Sequence, residues 1–360
     1  MKIAILAPLV APICEPQLGG SQALLADLAR GLTARGVEVE VFAASGSEIP
    51  GVRVVDTGID AERLASTLFR PGRQGPALSD AAAAAFARAY ELIRRGDHDV
   101  VHNHAFDASA IELAVGLGRS VVHTLHLPPE ARVAAALRAA GREPSPPVVA
   151  AVSESHARAW RAEVRVDLVL RNGVPLDRIP WSAAGGPGAL FAGRLSPEKG
   201  AAEAIEIARR AGVPIVVIGS VYDPAYVVDR IERWRHAPGV RIEPAVPREE
   251  LWQRMAESRA VLCPVRWDEP FGLVAAEAQA AGTPVIGFRR GGLSEVVRDG
   301  VTGALVDEGD LTAAARALAA VEAYGREACR RHAEATLRLE ATIDAHEDLY
   351  GRLLRSGKGS

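Results

Sequence analysis

The densest chemistry in this 360-residue chain lies in one stretch, Asp268-Glu269-Pro270-Phe271-Gly272-Leu273-Val274-Ala275-Ala276-Glu277-Ala278. It follows an apolar run ending near Pro264, and its alanine-rich body predicts a helix running to Gly282, with Thr283-Pro284 opening the next strand. Pro270 sits where a first-turn proline is tolerated. The backbone N–H groups of Phe271, Gly272, Leu273 and Val274 then have no partner inside the helix and face a phosphate well. Gly272 carries no side chain to block a close approach. Glu269 and Glu277 flank this helix start about two turns apart, roughly 10 Å at the helical rise. That span suits a ligand whose hydroxylated ends flank a diphosphate. Glu277 lies among Ala275, Ala276, Ala278, Ala280 and Ala281, so burial without a partner would be costly. A ribose diol could supply two O–H donors; a salt bridge is the alternative.

Two cations, Arg194 and Lys199, fall in Gly193-Arg194-Leu195-Ser196-Pro197-Glu198-Lys199-Gly200, between a strand and a helix. In open α/β sheets that edge binds ligands, and fixed cations there meet the charge on a departing diphosphate. The paired glycines Gly19 and Gly20, after the first strand, let backbone approach a ligand closely. Histidines gather in the first half: His98, His102, His104, His123 and His126. His102, His104 and His126 stand at or just beyond strand ends. Their spacing shows no convergence and no cysteine joins them, so no metal is expected.

Strands and helices must alternate to place these residues. Short apolar runs at 2–7, 37–43, 100–102, 120–125 and 148–152 alternate with helical stretches such as 21–35 and 80–95. The second half repeats the scheme, with strands at 189–192, 214–218, 240–242, 260–263 and 284–287. Its helices fall at 201–211, 226–234, 249–257 and 272–281, and the chain turns helical again from 333 to 354. Such alternation describes parallel sheets in βαβ units. The expected class is α/β, with two doubly wound domains. The Pro- and Gly-rich segment 175–187 is the expected linker. The boundaries are 1–178, 179–335 and a terminal helix at 336–355.

Composition narrows the function. Apolar residues make up 48%, enough for two cores, and charged residues 24%, which argues against global disorder. A formal net charge of −3 disfavours a nucleic-acid partner. No apolar run reaches the ~18 residues of a membrane span. Cys14, Cys263 and Cys329 are sparse and unpaired in sequence, which fits a reducing, cytoplasmic setting.

Taken in order, these residues resemble a retaining glycosyltransferase of family 4, the glycosyl transferases group 1. The resemblance rests on Gly19-Gly20, the 99–104 run ending His102-Asn103-His104, Thr124-Leu125-His126, Ala151-Val152-Ser153-Glu154 and Asn172-Gly173-Val174. It continues through Gly193-Arg194 with Lys199-Gly200, the E-x7-E run Glu269–Glu277, and Gly291-Gly292-Leu293-Ser294-Glu295. It implies the GT-B fold: two Rossmann-like domains facing across a cleft, the first for an acceptor and the second for a nucleotide-sugar donor. It implies that Arg194 and Lys199 hold the diphosphate, Glu277 the ribose, and Glu269 with the amides of Phe271 to Val274 the sugar and phosphate. Gly193 belongs to the same donor loop, and Gly20 would approach the distal phosphate. His126 would lie near the sugar C6 hydroxyl or the reaction centre, as a catalytic residue with Arg194, Lys199 and Glu269, and Val246 would face the base through its backbone.

Two departures from the family pattern bear on the base: Pro244-Ala245 before Val246, and Ser220-Val221-Tyr222-Asp223 after Gly219. Arg70, Arg73 and His104 are the acceptor-side candidates. The expected reaction is metal-independent front-face transfer with retention, from a UDP-sugar first and a GDP-sugar next, to a small-molecule or saccharide acceptor, by a monomer or homodimer without cofactor. The rivals are a nucleotide-sugar epimerase, a non-catalytic sugar-nucleotide-binding protein and a sugar phosphorylase. An oxidoreductase is disfavoured by the missing G-x-G-x-x-G.

Overall fold

A computed structural model describes residues 1–60 and 76–357. Arg70 and Arg73 lie outside the described residues. The chain forms two compact units. One gathers Met1–Cys14, Ser21–Arg171 and Glu340–Ser360; the other gathers Glu15–Gly20 and Asn172–Leu339.

The first unit is built on seven parallel strands: β1 (Lys2–Leu6), β2 (Glu38–Ala43), β3 (Arg53–Asp56), β4 (Val100–Asn103), β5 (Ser120–Thr124), β6 (Val148–Ala151) and β7 (Leu168–Val169). Their order is β3-β2-β1-β4-β5-β6-β7. The order reverses between β1 and β4, the pair that flanks the ligand-binding crevice of such sheets. Ile3, Ala4, Ile5 and Leu6 are fully buried, as strands covered by helices on both faces must be. Helices α1 (Gly20–Ala34), α2 (Pro76–Arg95), α3 (Ala108–Glu112), α4 (Ala131–Ala140) and α5 (Glu154–Arg161) supply the cover. One core gathers Phe42, Phe86, Tyr90 and Ile93. A second gathers Leu125, Leu137 and Trp160.

The second unit repeats the plan with six parallel strands: β8 (Ala189–Ala192), β9 (Ile215–Ile218), β10 (Val240–Glu243), β11 (Ala260–Cys263), β12 (Val285–Phe288) and β13 (Gly303–Val306). Their order is β10-β9-β8-β11-β12-β13, so the reversal lies between β8 and β11. The helices are α6 (Ala201–Ala211), α7 (Arg248–Glu257), α8 (Leu273–Ala280), α9 (Leu293–Val296), α10 (Leu311–Ala319) and α11 (Arg326–Thr336). The last helix, α12 (Leu339–Gly357), contributes Glu340 onward to the first unit.

Three local expectations need correction. The helix expected over 226–234 is a single α-turn at Pro224–Tyr226, a π-turn at Val227–Ile231 and a 3-10 turn at Glu232–Trp234. The helix expected from Gly272 starts one residue later, and Pro270 lies ahead of it in the loop. Gly272 has φ +100°, in the left-handed region, and so caps α8 rather than joining it. The helical stretch expected over 333–354 is two helices, because Leu337 and Arg338 leave the helical path and Arg338 bridges to Val174.

Candidate functional site

In the second unit, the loops after β8 and β11 carry the charged residues, and these two strands flank the reversal of the sheet. Gly193, Arg194 and Lys199 follow β8; Asp268, Glu269 and Phe271 follow β11. Arg194 is held from two sides: its guanidinium stands 4.4 Å over the Tyr222 ring, and its Nη2 lies 3.3 Å from Glu198 Oε1. Ser196 Oγ donates to the same Glu198 oxygen at 2.7 Å. Tyr222 belongs to the segment where the sequence departs from the family pattern. Lys199 Nζ donates to Glu269 Oε2 at 2.8 Å, with both side chains mostly buried.

The loop bearing Glu269 is braced by the next turn. Gly292 N donates to Glu269 O at 2.6 Å. A Cβ on Gly291 would stand 2.3 Å from that oxygen, and Gly291 has φ +52°, so a side chain is excluded on two counts. Beyond Glu269, Gly272 opens α8 and no side chain caps it. Its first N–H groups are therefore the anion-facing end of the helix.

Glu277 is buried on α8 at 3% exposure, as its alanine neighbours implied. Its partner within the protein is Arg248, at the start of α7. Arg248 Nε and Nη2 donate to Glu277 Oε1 at 2.9 and 2.7 Å. Both bonds end on one oxygen, and Arg248 also packs 4.8 Å from the centre of the Trp252 ring. Sequence reasoning missed Arg248. The available signal was physical: a carboxylate on an alanine helix needs a cation, and Arg248 directly follows the Ala245-Val246-Pro247 segment. The Glu15–Gly20 segment groups with this unit. Glu15 accepts from Arg248 N at 3.0 Å, and a Cβ on Gly20 would lie 3.5 Å from Leu273. Val246 lies two residues before α7 and is half-buried.

In the first unit, the carboxyl ends of β4 and β5 hold a buried imidazole cluster. His102 Nδ1 lies 2.6 Å from Tyr350 Oη on α12, and its Nε2 lies 2.7 Å from Thr124 Oγ1. His104 packs against His102 with ring centres 4.0 Å apart and the rings tilted by 35°. Its Nδ1 lies 2.9 Å from His126 Nε2. His346 of α12 completes the group, 5.5 Å from His102. Burial holds the imidazoles of His102 and His104 well below their ordinary range, His126 at about 3 and His346 at about 4. They are neutral at pH 7. His126 is mostly buried but keeps some surface exposed. His104 is completely buried, and its contact with His126 ties the two rings together. Among the described residues, no group of three or more His, Cys, Asp or Glu could hold a metal.

The arrangement in the second unit suits a ligand with a diphosphate centre and hydroxylated ends. Comparison with known proteins gives the family. Residues 182–337 match the family of glycosyl transferases group 1, and residues 18–178 match glycosyltransferase family 4. The D-inositol 3-phosphate glycosyltransferase of Xylanimonas cellulosilytica is 32% identical, over 89% of this chain and 88% of its own. The protein of the same name from Geodermatophilus obscurus is 30% identical over 96% and 88%. Among solved structures, the sucrose-phosphate synthase of Thermosynechococcus elongatus superposes with a TM-score of 0.80 at 19% identity, covering 99% of this chain and all of that one. AviGT4, a glycosyltransferase of avilamycin A biosynthesis, gives 0.70 at 24% identity, covering 99% and 98%. The two doubly wound sheets are therefore those of the GT-B class, and the chain belongs to the group 1 glycosyl transferases of family 4, enzymes that transfer a sugar.

Proposed function

We propose that the protein is a retaining hexosyltransferase that takes its sugar from a nucleotide diphosphate, a UDP-sugar first and a GDP-sugar next. The observation that carries this reading is the trio of Arg194, Lys199 and the uncapped start of α8 at the sheet reversal of the second unit. Arg194 and Lys199 bind the donor diphosphate, and the amides at Leu273 and Val274 face its phosphate. Glu277 uses its Oε2 for the ribose hydroxyls while Arg248 occupies Oε1. Glu269 meets the hydroxyls of the transferred sugar. The first unit, with His126 at the ligand-binding edge of its sheet, takes the acceptor. The acceptor is a small molecule or saccharide; the relatives' name makes a phosphorylated polyol the first to try.

The bond from the anomeric carbon to the diphosphate breaks through an oxocarbenium-like state. Negative charge grows on the leaving phosphate, where the two cations and the helix start stabilise it. The acceptor oxygen bonds to the same face of that carbon, and its proton passes to a leaving phosphate oxygen. With this much fixed positive charge the reaction needs no metal.

The test is thermal unfolding with UDP, GDP, ADP and TDP, each with and without EDTA. One nucleotide is expected to raise the melting temperature, with or without EDTA, because a ligand that binds only the folded state stabilises it. No shift with any of the four overturns the donor assignment. A shift abolished by EDTA overturns the metal-free reading. A nucleotide sugar converted to its epimer without acceptor would make the protein an epimerase. With the donor known, Lys199→Ala is expected to lower transfer about 100- to 1,000-fold, as loss of one charge-stabilising group does. Unchanged turnover in a folded Lys199→Ala protein would remove the lysine from the mechanism.

A further inference from the structure

Glu269 is held by a side chain that has no part in the proposed reaction. Trp267, two residues before it, donates its indole N–H to Glu269 Oε2 at 2.6 Å. Lys199 Nζ donates to the same oxygen at 2.8 Å. Lys199 Nζ also stands 4.8 Å from the centre of the Trp267 ring. One aromatic side chain thus touches both the carboxylate assigned to the sugar and the cation assigned to the diphosphate.

We propose that Trp267 is a positioning residue that keeps Glu269 aimed while Lys199 changes partner from Glu269 to the donor diphosphate. This rests on the roles assigned above to Glu269 and Lys199. Both donors fall on Oε2, so Oε1 is the oxygen available to a sugar hydroxyl. A diphosphate is a stronger anion than one carboxylate and draws the ammonium toward itself. Oε2 then loses one of its two donors, and without the other the carboxylate would be free to rotate. The indole N–H is covalently fixed to the same loop, is a donor only and does not titrate in the working range. It retains the orientation of Glu269 through the exchange. The ring face gives the ammonium an attractive neighbour where it stands beside Glu269.

The experiment uses the full-length protein with 15N-labelled indoles and inorganic pyrophosphate as the diphosphate probe, so that the base does not matter. The chain has five tryptophans, and Trp267→Phe assigns the resonance. The Trp267 N–H signal is expected to move in Glu269→Gln. In the wild-type protein it is expected to stay hydrogen-bonded and protected from solvent exchange at saturating pyrophosphate. A signal unmoved in Glu269→Gln, or one that becomes free on pyrophosphate binding, overturns the proposal. Absence of any pyrophosphate binding would instead sink the diphosphate reading of Lys199; Glu269→Gln would then still decide whether the indole holds the carboxylate. In turnover, Trp267→Phe keeps the ring and loses the N–H. It is expected to lower kcat about 10- to 100-fold, the cost of a slightly misplaced group. Pyrophosphate affinity should stay within about twofold, whereas Trp267→Leu, which also removes the ring face, should lower both. Wild-type kcat in Trp267→Phe, or equal losses of kcat and pyrophosphate affinity in it, would overturn the positioning role.

Discussion

Between pH 7 and pH 5 the first unit is expected to lose most of its stability, before its carboxylates protonate in bulk. The cause is its buried imidazoles. Burial holds His123 and His126 at about 3 and His156 and His346 at about 4, against an ordinary 6.5. The sign follows from proton counting. Above pH 6.5 these rings are neutral in both folded and unfolded chains, and the folded state pays nothing for them. Below 6.5 the unfolded chain takes up protons that the folded chain refuses, so stability falls as pH falls. The loss levels off only near pH 3 to 4. At pH 5 each such ring costs about 2 kcal/mol, or about 8 kcal/mol for the four. His102 and His104, held well below 6.5, add to the loss.

One group opposes it. Burial raises the carboxyl of Asp107 to about 6, so the folded state is favoured as that group protonates, by about 1 kcal/mol at pH 5. The net loss is comparable to the whole stability of an ordinary domain. Circular dichroism and thermal melts from pH 7.5 to 4.5 check this. A melting temperature flat between pH 7 and 5 would mean that the cluster is solvated. Because His346 and Tyr350 lie on α12, His346→Leu should weaken the acid dependence by removing one of the four rings.

Arg248→Ala is expected to destabilise the second unit by about 3–5 kcal/mol, the cost of leaving a buried charge without its partner. For a unit of this size each kcal/mol is about 2–4 °C in melting temperature. The substitution removes both guanidinium bonds from Glu277 Oε1 and strips the packing from Trp252. Glu277 cannot turn to solvent, because it stands on a helix lined by Ala275, Ala276, Ala278 and Ala280, all buried. Arg248→Met with Glu277→Gln is expected to recover much of the loss, since two neutral side chains of similar volume leave no buried charge. The double-mutant cycle then gives the coupling between the two positions. Nucleotide binding should remain weak in the double variant, because Glu277 Oε2 is gone as well. A single Arg248→Ala protein that melts with the wild type would show that Glu277 has another buried partner.

The local pattern determined the class of fold and the order of its parts. Buried strands such as β1 read as unbroken apolar runs because helices cover both their faces, and alternation with helices then requires parallel sheets. The same sequence marks the chemistry: Glu269 stands in the loop that leads into α8 and Glu277 on α8 itself, and Arg194 and Lys199 share one loop. Residues that near in the chain are near in space whatever the rest of the fold does.

Tertiary structure decided the partners. Arg248 and Glu277 are separated by 29 positions, and only the packing of α7 beside α8 joins them. His102 and Tyr350 are separated by 248 positions, and only the docking of α12 into the first unit joins those. Composition shows that histidines are numerous in the first half, but not that burial makes them neutral and acid-labile. Even Trp267, two residues from Glu269, carries no sequence signal of its contact, because a loop's turn sets which way an indole points. Spacing along one helix or loop is set by covalent geometry, whereas the partner of a buried charge is chosen by the low dielectric around it, which exists only once the chain has folded.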